Sequence, residues 1–185
     1  EGDPLRAKHR QLERISRQFV NETPEKPWVY YDGYGGGSNC WYACTPRQMP
    51  EDFHLESSYG VGRDWPLRYE DLEPYYCDAE DMMTIGADSD DTPYPRSRPY
   101  PAPPHRMSHP DKVLKKALPN GIFSFPAART YTPVPDQRPA CCNNSVCRLC
   151  PVDAKFTILN GMKGLHERSG VELQLGAAVQ RVWHE

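Results

Sequence analysis

The chain has 185 residues, 38% of them hydrophobic, with 20 prolines and a mean hydropathy of −0.77. A formal charge of −3 and a pI near 6.1 leave no basic surplus for nucleic acid or an anionic membrane. No apolar run approaches the roughly 20 residues that span a bilayer, and the first residues do not read as a secretory signal.

Asp3-Pro4 is a good helix start, a capping side chain followed by proline, and Leu5, Leu12, Ile15 and Phe19 continue on one face. Val29-Tyr30-Tyr31 reads as a short strand running into Gly33-Tyr34-Gly35-Gly36-Gly37. Residues 42–68 hold turn formers and few periodic apolar positions. A helix is expected over Glu70–Met83, with Pro74 marking a break or restart. The stretch from Asp88 to His105 is acidic, then proline-rich, and is expected to stay irregular. Its run Asp88–Asp91 lacks the spacing of a calcium loop. A short helix follows at Asp111–Leu118. A longer one is expected over Asp153–Arg168, where Ala154, Ile158, Met162 and Leu165 share a face and Gly170 terminates it. Val171–Leu175 and Ala178–Val182 read as strands joined by a turn at Gly176. The chain starts without Met and stops at Trp183-His184-Glu185, directly after a strand pattern, so it is expected to be an internal piece of a longer protein.

Three consecutive glycines, Gly35 to Gly37, remove every Cβ and let another group approach the backbone or its N–H donors. On glycines alone, a flexible surface turn is the alternative. The segment is neither a dinucleotide fingerprint, since Ser38 stands where the third glycine belongs, nor a P-loop. Its continuation, Ser38-Asn39-Cys40-Trp41-Tyr42, sets bulky aromatics directly against the glycines, as a planar ring system would require.

Seven cysteines are an odd count for a closed disulfide set, and four of them fall within ten residues as Cys141-Cys142-x4-Cys147-x2-Cys150-Pro151. Short loops between cysteines bring sulfur ligands to one point at small ordering cost. The spacing suits an iron–sulfur cluster or structural zinc, and adjacent Cys141 and Cys142 also leave a disulfide open.

Gly35-Gly36-Gly37-Ser38-Asn39-Cys40-Trp41, followed by Thr45-Pro46-Arg47, resembles the second flavin-contacting segment of glucose-methanol-choline oxidoreductases. The nearest branch is that of FAD-dependent glucose, gluconate and related sugar dehydrogenases and pyranose oxidases. Pro50–Phe53, Tyr59–Pro66 and Tyr69–Tyr76 continue the pattern, and the similarity runs from about Trp28 to the C-terminus. The resemblance implies an α/β fold, α+β within this piece: part of a Rossmann-type FAD-binding domain with long irregular flavin-covering loops. Residues 1–27 would be an N-terminal helix and linker, 28–150 the flavin-covering and cysteine-cluster loops, and 151–185 a helix and β-strands of the FAD-binding domain.

It implies that Gly35, Gly36, Gly37, Ser38, Asn39, Cys40 and Trp41 lie along FAD, with Val179 against the adenine. Cys40 stands where several relatives have a histidine, which in pyranose oxidases carries the flavin covalently. Cys40 is read as a small thiol packed beside the ring, with a flavin thioether as the alternative. Gln137 to Pro151 resembles the cysteine segment of sugar dehydrogenase subunits that bind a 3Fe-4S iron–sulfur cluster, which would make Cys141, Cys142, Cys147 and Cys150 its ligands. Relatives space the last two cysteines by three residues, whereas two stand here.

The implied activity is oxidation of a CH–OH group of a sugar or alcohol by hydride transfer to FAD. Electrons would pass through the cluster to a cytochrome or other acceptor subunit. No catalytic residue is assigned; the family's base is a histidine outside this piece, and His105 and His109, beside proline turns, are expected at the surface. Tyr75, Tyr76 and Trp65 are read as packing residues. The competing reading is a non-catalytic, zinc-stapled module that binds a partner protein.

Overall fold

The computed structural model describes Glu22, Thr23, Glu25, Lys26 and residues 33–144, 147–165, 168–177, 179 and 181–184. The helix expected from Asp3, the strand at Val29–Tyr31, and Ala178 and Gln180 lie outside the described residues. The chain divides into two units, Glu1–Asn39 with Thr157–Glu185, and Cys40–Phe156.

In the Cys40–Phe156 unit, short backbone pairings take the place of long strands. Ala127 pairs antiparallel with both Cys44 and Gly86, Gly86 pairs parallel with Ala102, and Arg129 pairs with Lys155. The bonds are ordinary ones, such as Ala128 N to the Ala43 carbonyl at 2.8 Å and Gly86 N to the Ala127 carbonyl at 2.9 Å. The segments are small because they must lie close: a Cβ on Gly86 would stand 2.9 Å from the Pro103 carbonyl oxygen. Ala43, Ile85, Ala87, Ala102, Ala127, Ala128 and Ala154 are buried along this ladder.

A 3-10 turn at Pro50–His54 buries Phe53 completely and leads into α1, Leu55–Tyr59, which Gly60 ends in the left-handed region at φ 69°. Sequence reading saw only turn formers there, because each piece is too short to show a period. Asp64 Oδ1 accepts the Glu56 and Ser57 N–H groups at 3.0 and 3.1 Å, closing this corner. Trp65, half exposed, packs its ring 6.1 Å from that of Phe53.

Helix α2, Tyr69–Met83, passes through Pro74 without breaking. Asp71 Oδ2 accepts the Arg68 N–H at 2.8 Å at its start. Arg138, itself buried, donates to the carbonyls of Met83 and Thr84 at 2.5 and 3.1 Å at its end, and burial lowers its pKa to about 10. Helix α3, His109–Ala117, is capped by Ser108, whose Oγ accepts the Asp111 N–H at 3.3 Å. Asp91 receives the α3 lysine Lys115 at 2.5 Å, while Asp88 accepts the N–H groups of Asp90 and Asp91.

The buried face of α2 is polar. Tyr69, Cys77 and Glu80 are buried at helical spacing, with Glu73 on the same stripe, and all four meet Arg47. The Arg47 guanidinium donates to Glu80 at 2.7 and 2.9 Å, Glu73 at 3.2 Å, the Tyr69 hydroxyl at 3.0 Å, Cys77 Sγ at 3.1 Å and the Pro95 carbonyl at 2.8 Å. Burial opposes its charge, but the bonds from Glu80, Tyr69 and Cys77 outweigh that, so its pKa is raised. The proline-rich segment closes over the same cluster: Arg96 reaches Glu80 at 2.8 Å, and Ser97 donates to Glu73 through its N–H and hydroxyl at 2.9 and 2.8 Å. Its own Tyr94 and Tyr100 are buried. The segment is irregular, as expected, yet it is fastened inward.

In the other unit the sequence leads to one helix over Asp153–Arg168. The structure instead places α4 at Ile158–Gly161 and a 3-10 turn at Lys163–Leu165. Asp153 takes φ 52°, and Ala154 to Phe156 run extended in the ladder of the Cys40–Phe156 unit, so the first positions of the apolar period serve another structure. Thr157 then caps α4, its hydroxyl accepting the Asn160 N–H at 3.3 Å. Residues 171–175 and the described residues of 178–182 form no strand, and the turn at Gly176 is present with φ 71°.

Two outcomes test the Arg47 cluster. Arg47→Met leaves Glu73 without its cation and Glu80 with Arg96 alone, and is expected to destabilise the unit by about 3–5 kcal/mol in urea denaturation; a loss below about 1 kcal/mol would remove Arg47 from this role. For Glu73, burial favours the neutral form, but donors from Cys77, Ser97 and Arg47 outweigh it and lower the carboxyl from 4.5 to about 2. The stability it contributes is therefore complete above about pH 4.5 and lost as pH falls towards 2. Thermal melts between those limits should show a shallower pH dependence in Glu73→Gln than in the parent.

Candidate functional site

The glycine segment forms a tight turn. Gly35 and Gly36 have φ 95° and 53°, a region that glycine enters without penalty, and Gly36–Asn39 make one 3-10 turn. A Cβ on Gly35 would meet Asn39 Nδ2 at 2.9 Å, whereas Gly36 and Gly37 face open space. Asn39 Nδ2 donates to the Tyr34 carbonyl at 2.8 Å. The Ser38 hydroxyl donates to the Gly35 carbonyl at 2.6 Å and accepts the Ile158 N–H at 3.1 Å, joining the turn to the start of α4. Gly36 and Gly37 thus present bare backbone on a turn braced by Ser38 and Asn39, which suits close approach by a flat or anionic group. Val179 is exposed.

Cys40 and Trp41 belong to the other unit. Cys40 is a free, half-buried thiol. Trp41 is anchored at both ends of its residue: its indole Nε1 donates to the Phe156 carbonyl at 2.8 Å, and its own carbonyl accepts from Lys155 Nζ at 2.7 Å.

The four clustered cysteines line one cavity of about 50 Å³ with Arg129, Asn143, Asn144 and Lys155. All four thiols are free; Cys150 is buried, Cys141 and Cys147 are half-buried, and Cys142 is exposed. The loop turns sharply at Asn143 (φ 52°) and Asp153 (φ 52°), residue types that tolerate the left-handed region. Cys141 Sγ accepts the Asn143 N–H at 3.4 Å and Cys150 Sγ accepts the Ala154 N–H at 3.3 Å. Among the described residues no three His, Cys, Asp or Glu side chains converge on one metal position. Four free thiols, two backbone donors to sulfur and two basic neighbours suit a thiolate-held metal; the sulfurs share a cavity without closing on a single centre.

Sequence reasoning missed Arg129 and Lys155. Lys155 sits between Ala154 and Phe156, and its three residues are buried together, so a lysine within a buried apolar stretch was the available signal. His105 is half-buried rather than exposed, its Nε2 3.0 Å from the Arg129 carbonyl, and burial lowers its pKa; His109 is exposed. Tyr76 packs, lying 5.4 Å beneath the Arg47 guanidinium, whereas Tyr75 is exposed.

No family model matches the chain. Over 131 residues, 67% of its length, it is 38% identical to the fructose dehydrogenase large subunit of Gluconobacter japonicus. Over 63 residues, 32% of its length, it is 38% identical to the 2-methyl-1,2-propanediol dehydrogenase of Mycolicibacterium austroafricanum. The chain spans 24% and 11% of those two proteins, and both are named as dehydrogenases, one of a sugar and one of a diol. No helix among the described residues is long and apolar enough to cross a membrane.

Proposed function

We propose that this chain is part of an FAD-dependent dehydrogenase that oxidises a CH–OH group of a sugar or alcohol. The observation that carries this reading is the 38% identity to fructose dehydrogenase large subunit over 67% of the chain. The second likeness, to a diol dehydrogenase, supports the same reaction class. The proposed fold of the whole is an α/β dinucleotide-binding domain of glucose-methanol-choline type, to which this piece contributes covering loops.

When bound, FAD would accept the hydride and an iron–sulfur centre would pass single electrons outward. Gly36 and Gly37 would offer bare backbone to the flavin, with Ser38 and Asn39 keeping the turn in shape and Cys40, Trp41 and Val179 as further contacts. Trp41, held through its indole and its carbonyl, would present a fixed surface rather than a mobile ring. Cys141, Cys142, Cys147 and Cys150 would hold the metal centre, of 3Fe-4S type on the resemblance to the sugar dehydrogenase subunits. The subunit naming of the fructose enzyme supports a further proposal, that electrons leave to a separate acceptor subunit.

The full-length protein provides the test. It is expected to show flavin absorbance that a sugar or alcohol from a substrate panel bleaches anaerobically, and to contain iron and acid-labile sulfide. Stoichiometric zinc without iron or flavin would replace this reading with a zinc-stapled binding module. Acid denaturation of the same protein should release free FAD, with Cys40 a packing thiol; flavin that stays with the polypeptide and is lost in Cys40→Ser would instead establish a thioether.

A further inference from the structure

Lys155 is only 2% exposed, yet it carries one of the strongest hydrogen-bonding groups in the unit. Its ammonium donates to the carbonyls of Trp41 at 2.7 Å, Cys147 at 2.8 Å and Arg148 at 3.0 Å. Three backbone oxygens from two stretches of chain thus converge on one ammonium, which carries only donors. The acceptors come from two distant stretches: Trp41 closes the glycine-aromatic segment, and Cys147 with Arg148 belongs to the cysteine loop. Other bonds brace the same join. The Trp41 indole reaches the Phe156 carbonyl at 2.8 Å, Arg129 donates to the Tyr42 carbonyl at 2.7 Å, and Arg129 pairs with Lys155 through the backbone. Lys155 and Arg129 both line the cavity shared by the four cysteines.

We propose that Lys155 is the positioning residue of the cysteine centre: it fixes the Cys147–Arg148 backbone against Trp41 and places a buried positive charge beside the metal that the thiolates hold. The inference rests on the reading of Cys141, Cys142, Cys147 and Cys150 as ligands of an iron–sulfur centre. Thiolate ligands make such a centre anionic, and reduction adds one more negative charge. A nearby cation stabilises the reduced form more than the oxidised one, and because Lys155 is buried the effect is weakly screened. Lys155 therefore raises the reduction potential of the centre and biases electrons towards it. The polar contacts of Lys155 also set the cysteine loop at a fixed position relative to Trp41, so the path between the two segments does not vary from molecule to molecule.

The test uses the full-length holoenzyme in three forms, parent, Lys155→Met and Lys155→Arg, with iron analysis and redox titration followed by EPR and by flavin absorbance. Iron in the parent decides the underlying reading on its own; zinc or no metal there removes that reading and this inference with it. With iron present, Lys155→Met is expected to lower the midpoint of the centre by a tenfold change in its equilibrium or more, about 59 mV for one electron. The flavin midpoint should stay unchanged, and Lys155→Arg should restore most of the difference. An unchanged midpoint with full iron in Lys155→Met overturns the proposal. Should Lys155→Met lose its iron, recovery of iron and midpoint in Lys155→Arg supports the charge-bearing role. Loss of iron and flavin alike in both variants marks a general packing defect and overturns it.

Discussion

The Cys40–Phe156 unit depends on one buried guanidinium. A chain with this much proline has few backbone donors in its irregular parts, since proline brings a carbonyl and no N–H. The segment around Pro95 therefore needs donors from elsewhere, and Arg47 supplies one to its carbonyl while α2 supplies acceptors for Arg96 and Ser97. A buried cation alone would cost several kcal/mol, and so would buried Glu80. Together each makes the other tolerable. That mutual condition explains why α2 carries a polar stripe on its buried face, and why it survives Pro74: the helix is held by what it binds, and a single lost ladder bond near its start does not decide its fate.

Much of the local structure was legible. The existence of α2 and α3 was legible to within two residues at each end, although the break expected at Pro74 is absent, and the turn at Gly176 followed from glycine's tolerance of positive φ. The grouping of four cysteines around one cavity followed from their spacing, since short loops leave sulfurs little room to separate. What could not be read were the long-range electrostatic contacts. Arg47 meets residues 22 to 48 positions away, and no periodicity in the sequence reports that. The stretch Ala154 to Phe156 was misread for a related reason. Ala154 lies at a helical interval from Ile158, but its burial is fixed by pairing with the Ala128–Arg129 strand segment, and Asp153 turns the chain out of helical geometry just before it. Tertiary pairing overrode a local period that four apolar residues supported only weakly.

The same competition explains Lys155. Lysine in a buried apolar run looks like an error by composition, because an isolated ammonium cannot leave water cheaply. Three carbonyl oxygens at hydrogen-bond distance change that balance, and they are available only because two loops with unpaired carbonyls meet there. Irregular backbone thus creates the demand that buried cations meet, at Lys155 for the cysteine loop and at Arg47 for the proline-rich one.

These two cations sit at either end of one short stretch. Trp41 is held by Lys155 and Phe156, Tyr42 by Arg129, Ala43 by the Ala128 N–H, Thr45 by the Pro126 carbonyl, and Arg47 by α2 and Pro95. Almost every residue from 41 to 47 is fastened to a different part of the unit, so the stretch has little freedom to move independently of the cysteine cavity or of α2. Regular secondary structure within the stretch plays no part in holding it; its place within the Cys40–Phe156 unit comes from the buried cations at its two ends, Lys155 on the Trp41 carbonyl and Arg47 on the acceptors of α2.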